Sequence, residues 1–226
     1  VYEEEFSIVK AFQWNKTGEK IAFLRFDETE VPEFSMDMYG QELYPTQTVF
    51  KYPKAGEKNS VVTLHLYDLA SGETDAVELE DYEYIPRIKW TNEENILSVQ
   101  TLNRHQNNLN LVFVNADTNV AKVVLNETDE AYVDITDNLT FLEDNSFIWT
   151  SEKDGWNHIY LYDSNGKLEN QVTEGQWVVT NYYGYDEGSN RIFYQSTENG
   201  SINRDVYSIK ANGKSKKRLT EKVGQN

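Results

Sequence analysis

Three consecutive carboxylates, Glu3-Glu4-Glu5, stand between Tyr2 and Phe6, and this is the stretch whose residue types could do chemistry. Crowding like charges raises the cost of ionising each one unless a positive group sits among them. An acidic run between aromatic residues is therefore either solvated surface or a place that holds a cation. Successive residues of a strand point to opposite faces, so a strand cannot aim two neighbouring carboxylates at one cation, whereas a helical turn can.

Little else in the chain offers chemistry. His65, His105 and His158 are scattered without ligand spacing and read as surface or strand histidines. Cysteine is absent, so there is neither a disulfide framework nor a thiolate metal site. No metal and no cofactor is expected. A G-x-S-x-G nucleophile elbow does not occur, and no catalytic residue is assigned within this chain. The formal charge of −17 repels phosphate backbones and anionic lipid, which argues against nucleic acid and membrane surface as partners and favours a cationic ligand. Neither a signal peptide nor an 18-residue apolar run is present. Because Val1 opens what reads as an ordered segment, the chain is expected to be part of a longer protein.

The elements that must position the acidic run are strands. Fifteen Tyr, ten Phe and five Trp against four Pro, with Val, Ile and Thr in short runs, are strand chemistry. A strand, polar turn, strand unit recurs at 11–24, 88–97, 139–148 and 183–194. A second landmark, Asp68, Asn115, Asp163 and Lys210, recurs at steps of 47, 48 and 47 residues, and a third, Val77, Val124, Val172 and Leu219, keeps the same steps. A period in the forties with about four short strands is the size of a β-propeller blade. The fold class is accordingly all-β: an arc of about four four-stranded antiparallel blades from a larger propeller. The blade-like units fall at about 9–80, 84–128, 132–175 and 178–222. Turn pairs such as Asn165-Gly166 and Asn212-Gly213 fit type I′ hairpins. The first unit carries an insertion at about 27–59, which holds three of the four prolines, Pro32, Pro45 and Pro53. Proline stiffens an extended segment, so the insertion is read either as a clip over a blade edge or as a ligand or domain contact.

Tyr2-Glu3-Glu4-Glu5, Trp14-Asn15, Asp27-Glu28-Thr29-Glu30-Val31-Pro32, Tyr44-Pro45 and Tyr52-Pro53-Lys54-Ala55-Gly56 run in one order, and Ser151-Glu152-Lys153-Asp154-Gly155-Trp156-Asn157-His158-Ile159-Tyr160 follows. In this the chain resembles, over nearly its whole length, the N-terminal propeller domain of the dipeptidyl peptidase IV family, which are prolyl oligopeptidase-type serine exopeptidases. The resemblance implies an eight-bladed propeller capping an α/β-hydrolase domain, and a substrate peptide whose penultimate residue is proline or alanine. It implies further that the acidic run lies on a short helical segment and grips the substrate's free α-amino group through Glu4 and Glu5, with Glu3 flanking. The Ser, Asp and His of the triad would lie beyond Asn226, and an arginine that assists at the substrate carbonyl would precede Val1.

The chain departs from the family in two places. Where mammalian members carry a Phe-Arg pair in the extended pocket, Ala131-Tyr132-Val133-Asp134-Ile135 has no arginine. Tyr132 there is read either as an aromatic pocket surface or as a strand-core residue. Mammalian members also use propeller disulfides, which this chain lacks, so the resemblance is to a bacterial member exported to the periplasm. The sequons at Asn15, Asn126, Asn138 and Asn199 read as chance. Expected partners are peptides with a free N-terminus, a C-terminal hydrolase domain of the same polypeptide, and a second copy in a homodimer. The competing reading is a non-catalytic propeller that serves as a binding scaffold for protein or glycan.

Overall fold

The computed structural model describes residues 2–222 and 224, with the side chains of Glu3 and Glu4 outside the description. A single helix, α1 (Tyr2–Phe6), precedes eighteen strands among these residues. The first sheet takes β1 (Phe12–Trp14), β2 (Lys20–Asp27) and, after a hairpin of β3 (Glu33–Met38) and β4 (Thr46–Lys51), β5 (Val61–Asp68) and β6 (Thr74–Val77). The second holds β7 (Tyr84–Trp90), β8 (Ile96–Leu102), β9 (Asn108–Asn115) and β10 (Val120–Thr128). The third holds β11 (Thr140–Phe141), β12 (Phe147–Ser151), β13 (His158–Tyr162) and β14 (Leu168–Gln171). The fourth holds β15 (Val179–Asp186), β16 (Arg191–Ser196), β17 (Asp205–Lys210) and β18 (Lys217–Arg218). Each is a four-stranded antiparallel meander, as the repeat requires, and together they form an open arc.

The repeated landmarks are turn devices. Between the first two strands of each sheet one residue adopts left-handed backbone: Gly18 (φ 76°), Asn95 (58°), Asn145 (63°) and Asn190 (52°). Glycine and asparagine tolerate that region better than other residues. Between the third and fourth strands, the side-chain oxygen of Asp68, Asn115 or Asp163 accepts backbone N–H groups of the turn it opens. Such Asx turns explain why that position repeats.

The type I′ expectation at Asn165-Gly166 and Asn212-Gly213 is corrected by the structure. Only the glycines have positive φ, 83° and 75°. Gly166 donates to the Asp163 carbonyl at 3.0 Å, and Asp163 in turn donates to Lys167 at 2.9 Å. Gly213 and Lys210 repeat the arrangement. These are three-residue loops in which a type I turn is followed by a left-handed glycine. The extra residue ahead of each asparagine makes the loop one residue too long for I′.

Neighbouring sheets are stitched in chain order. Asn15 Nδ2 donates to Asn95 Oδ1 at 3.1 Å, and Trp90 Nε1 to the Gln13 carbonyl at 3.1 Å, across the first seam. Asn92 Nδ2 reaches the carbonyls of Phe141 and Leu142 across the second, and Asn170 Nδ2 reaches Ala211 across the third. One apolar cluster joins the first three sheets, and another, around Ile148, Ile159, Ile192, Tyr194 and Ile209, joins the third to the fourth. Each blade therefore buries a face only against its neighbour. The hairpin of β3 and β4 stands apart: β4 is exposed along its whole length.

Candidate functional site

Helix α1 has five residues, too short to be stable by its own hydrogen bonding. Packing holds it. Tyr2 and Phe6, one turn apart on the same face, are both buried in the seam between the first and second sheets. Their rings lie 4.7 Å from Phe26 and 5.2 Å from Tyr84 respectively, centroid to centroid. The Tyr2 hydroxyl donates to the Glu83 carbonyl at 3.2 Å, and burial pushes its phenol far above the ordinary tyrosine range. At the other end Arg87 Nη1 donates to the Phe6 carbonyl at 2.6 Å while the rest of its guanidinium engages the Asp137 carboxylate. Arg87 follows directly on a register shift in β7 between Tyr84 and Arg87. Pro86 sits within that irregularity, a position in a sheet that tolerates proline.

The glutamates occupy the helical positions between these two anchors. Glu4 and Glu5 are adjacent on one helical turn, as shared binding of a cation requires; the side chains of Glu4 and of flanking Glu3 lie outside the described residues. Glu5 is exposed, and its Oε1 accepts a hydrogen bond from Gln106 Nε2 at 2.9 Å. Among the described residues no lysine or arginine forms an ion pair with Glu5. Among the described residues it therefore offers a negative charge without a cationic partner, on a helix held by packing at both ends.

Tyr132 is not a strand-core residue. It lies between β10 and β11, in a turn organised by Asp129 Oδ1, which accepts from the backbone N–H of Ala131 and Tyr132. The residue is 51% exposed, and its hydroxyl donates to Gln106 Oε1 at 3.2 Å. The ring borders a polar cavity of about 470 Å³ that is also lined by Asp134, Thr136, Glu127 and Lys153. Burial pushes the Glu127 carboxyl above the usual range, although Ser151 and the indole N–H of Trp149 hydrogen-bond to it. Burial also pulls the Lys153 ammonium below its usual range, with Nζ 4.0 Å from the centre of the Tyr160 ring.

Arg87 and Gln106 were not singled out from the sequence. Both act at long range, on residues 81 and 101 positions away. Only the proline inside an otherwise regular strand pattern, at Pro86, hints at the first. Of the histidines, His158 is fully buried and bonded to Thr173 Oγ1 and the Gly175 carbonyl, and His65 stacks on Phe23. Among the described residues no group of three or more His, Cys, Asp or Glu is placed to hold a metal ion, and no helix is long and apolar enough to cross a membrane.

Comparison with known proteins places this geometry in context. A family model described as the dipeptidyl peptidase IV (DPP IV) N-terminal region matches residues 1–226. The crystal structure of Porphyromonas gingivalis dipeptidyl peptidase 4 is similar over 100% of this chain and 32% of that one, at 44% identity and a TM-score of 0.92. A probable dipeptidyl-aminopeptidase B from Pyrenophora teres f. teres is 30% identical over 99% of this chain and 28% of its own length. Dipeptidyl aminopeptidase B of Saccharomyces cerevisiae is 31% identical over 92% of this chain, and again 28% of its length is covered. The chain thus spans less than a third of each of these three proteins.

Proposed function

From the premise that this chain belongs to the dipeptidyl peptidase IV family as its N-terminal region, we propose that it is the part of a serine dipeptidyl peptidase that anchors the substrate's amino terminus. The whole enzyme releases X-Pro or X-Ala dipeptides from peptides. One observation carries the reading: Glu5 is an exposed carboxylate without a cationic partner among the described residues, on a helix pinned at both ends.

A peptide α-ammonium has a pKa of about 8 and is largely protonated at neutral pH. Its three N–H donors suit two carboxylates, and hydrogen bonds between ions are the strong kind. With Glu4 and Glu5 holding the ammonium at a fixed distance from a nucleophile, only the bond two residues in reaches the reacting centre. Position rather than side-chain recognition then selects dipeptides. The nucleophilic serine, its His and Asp partners and the arginine at the substrate carbonyl belong to the rest of the protein. Tyr132 supplies an aromatic wall to the polar cavity beside the amine site, where residues further along the peptide would lie.

The 44% identity to a Porphyromonas gingivalis protein supports a bacterial origin, and the proposed enzyme is one exported to the periplasm. The exposed Met36, Met38, Leu43, Tyr44 and Val49 of the β3–β4 hairpin support a subunit contact in a homodimer.

The test is kinetic. In the full-length protein, Glu4→Gln and Glu5→Gln should each lower kcat/KM for Gly-Pro amides by about thirtyfold or more, since a desolvated ammonium that loses one partner costs about 2–5 kcal/mol. Acetylating the substrate amine should abolish cleavage. Unchanged kinetics in both variants, or efficient cleavage of the acetylated peptide, would refute amine anchoring. A protein without any peptidase activity would be a scaffold instead.

A further inference from the structure

Gln106 lies in the turn between β8 and β9 in left-handed backbone (φ 54°), a conformation uncommon for a side chain of its type. Such outliers persist where the surroundings over-determine them and often mark functional positions. The surroundings here are tight. Asn103 Oδ1 accepts the backbone N–H of Asn107 and Asn108, and the Gln106 N–H donates to the Asn103 carbonyl at 3.0 Å. The Gln106 carbonyl accepts from Val133 at 2.8 Å, which ties the turn to the Tyr132 segment.

From this rigid turn the side chain makes two bonds of opposite sense. Nε2 donates to Glu5 Oε1 at 2.9 Å, and Oε1 accepts from the Tyr132 hydroxyl at 3.2 Å. A carboxylate only accepts, so the amide cannot be reversed without setting oxygen against oxygen. The resulting chain, Tyr132 O–H to Gln106 to Glu5, polarises in one direction and strengthens each link. An amide is also neutral. A lysine or arginine in its place would orient Glu5 equally well but would cancel the charge that an incoming ammonium needs.

We propose that Gln106 is a positioning residue for the amine site: it fixes the Glu5 carboxylate without neutralising it, and Tyr132 fixes the amide. This rests on the reading of Glu5 as an ammonium ligand, so the experiment separates the two. Gln106→Met keeps the length and backbone demands of the side chain but loses both bonds, and Gln106→Glu sets a second carboxylate against Glu5. In the full-length protein, with Gly-Pro amide as substrate, Gln106→Met should raise KM about tenfold, the scale of one hydrogen bond to a charged group, with kcat changed far less. Gln106→Glu should raise KM further at neutral pH and recover as pH falls toward the carboxyl range, a profile that a general loss of folding does not produce. Combining Gln106→Met with Glu5→Gln should cost no more than Glu5→Gln alone.

If Glu5→Gln raises KM but Gln106→Met does not, the positioning role falls and the amine reading stands. If Glu5→Gln leaves kcat/KM unchanged, the positioning role falls, and if Glu4→Gln leaves it unchanged as well, the amine reading falls with it. Fully additive effects of the two substitutions, or a Gln106→Glu defect indifferent to pH, would assign Gln106 to the fold instead and overturn the proposal.

Discussion

Arg87 holds the Phe6 carbonyl at 2.6 Å while its guanidinium rests on Asp137, so one side chain ties the end of α1 to the second sheet and to the segment leading into the third. Asp137 feels this bond: Arg87 holds its carboxyl below the usual range. Replacing Arg87 with Met removes the tether but leaves the aromatic anchors. The expected cost to unfolding free energy is about 1–3 kcal/mol, as for a charged hydrogen-bonding group with a partly buried partner. In the full-length protein, the proposed amine anchoring predicts a raised KM for Gly-Pro amides, and steady-state kinetics beside a urea titration reads both effects.

Phe6 is 2% exposed, and truncating it leaves a hole between Tyr2 and Tyr84. Phe6→Ala should destabilise the domain by about 3–5 kcal/mol. Because α1 lacks the length to persist unsupported, the amine binding proposed for it should weaken in the full-length protein even at temperatures where the sheets remain folded. Near-UV circular dichroism alongside substrate KM distinguishes local from global loss.

Lys20 Nζ meets Asp68 Oδ2 at 2.7 Å across β2 and β5, and this bond leads the causes that depress the Asp68 carboxyl to about 2. The same bond raises the Lys20 ammonium. A carboxyl whose folded pKa is lowered stabilises the fold above its unfolded value and loses that contribution as pH falls through the folded one. The pair's acid-side contribution should therefore fade between the ordinary carboxylate range and about pH 2. In Asp68→Asn that part of the acid dependence should be missing, which thermal melts across the acid range detect.

The left-handed turn positions differ sharply in what they admit. Gly18 occupies the place taken by Asn95, Asn145 and Asn190 in the other sheets, and a Cβ there meets open space. Gly18→Asn should be tolerated, with a change in stability of about 0.5 kcal/mol or less. At Gly166 a Cβ would collide with the Val124 carbonyl of the neighbouring sheet. Gly166→Ala should cost at least about 3 kcal/mol, because backbone rather than a flexible side chain must move. Parallel melting curves of the two variants make the comparison.

Much of the architecture was legible because it is local and repeated. Hairpins at 11–24, 88–97, 139–148 and 183–194 and the Asx positions Asp68, Asn115 and Asp163 recur with their own turn chemistry. The family could be recognised from Tyr2-Glu3-Glu4-Glu5 and the proline-bearing insertion, and the family match bears this out. The turn type at Asn165-Gly166 was misread because the dipeptide signal ignores Ser164, which lengthens the loop. Tyr132 reads first as strand core and only second as pocket surface, because strand propensity cannot see that Asp129 has already turned the chain. Gln106 gave no local sign and Arg87 only the proline beside it, since what each side chain does is decided by a helix some eighty or more residues earlier.

Tyr2 and Phe6 enclose the acidic residues at a fixed interval, and both rings are socketed between sheets. Substituting a residue inside that interval alters its chemistry but leaves its direction. Inserting or deleting even one rotates everything after it by about 100° about the helix axis, so either the second ring leaves its socket or the carboxylates swing off target. A one-residue change in the length of this stretch should therefore cost more than a substitution at its flanking Glu3.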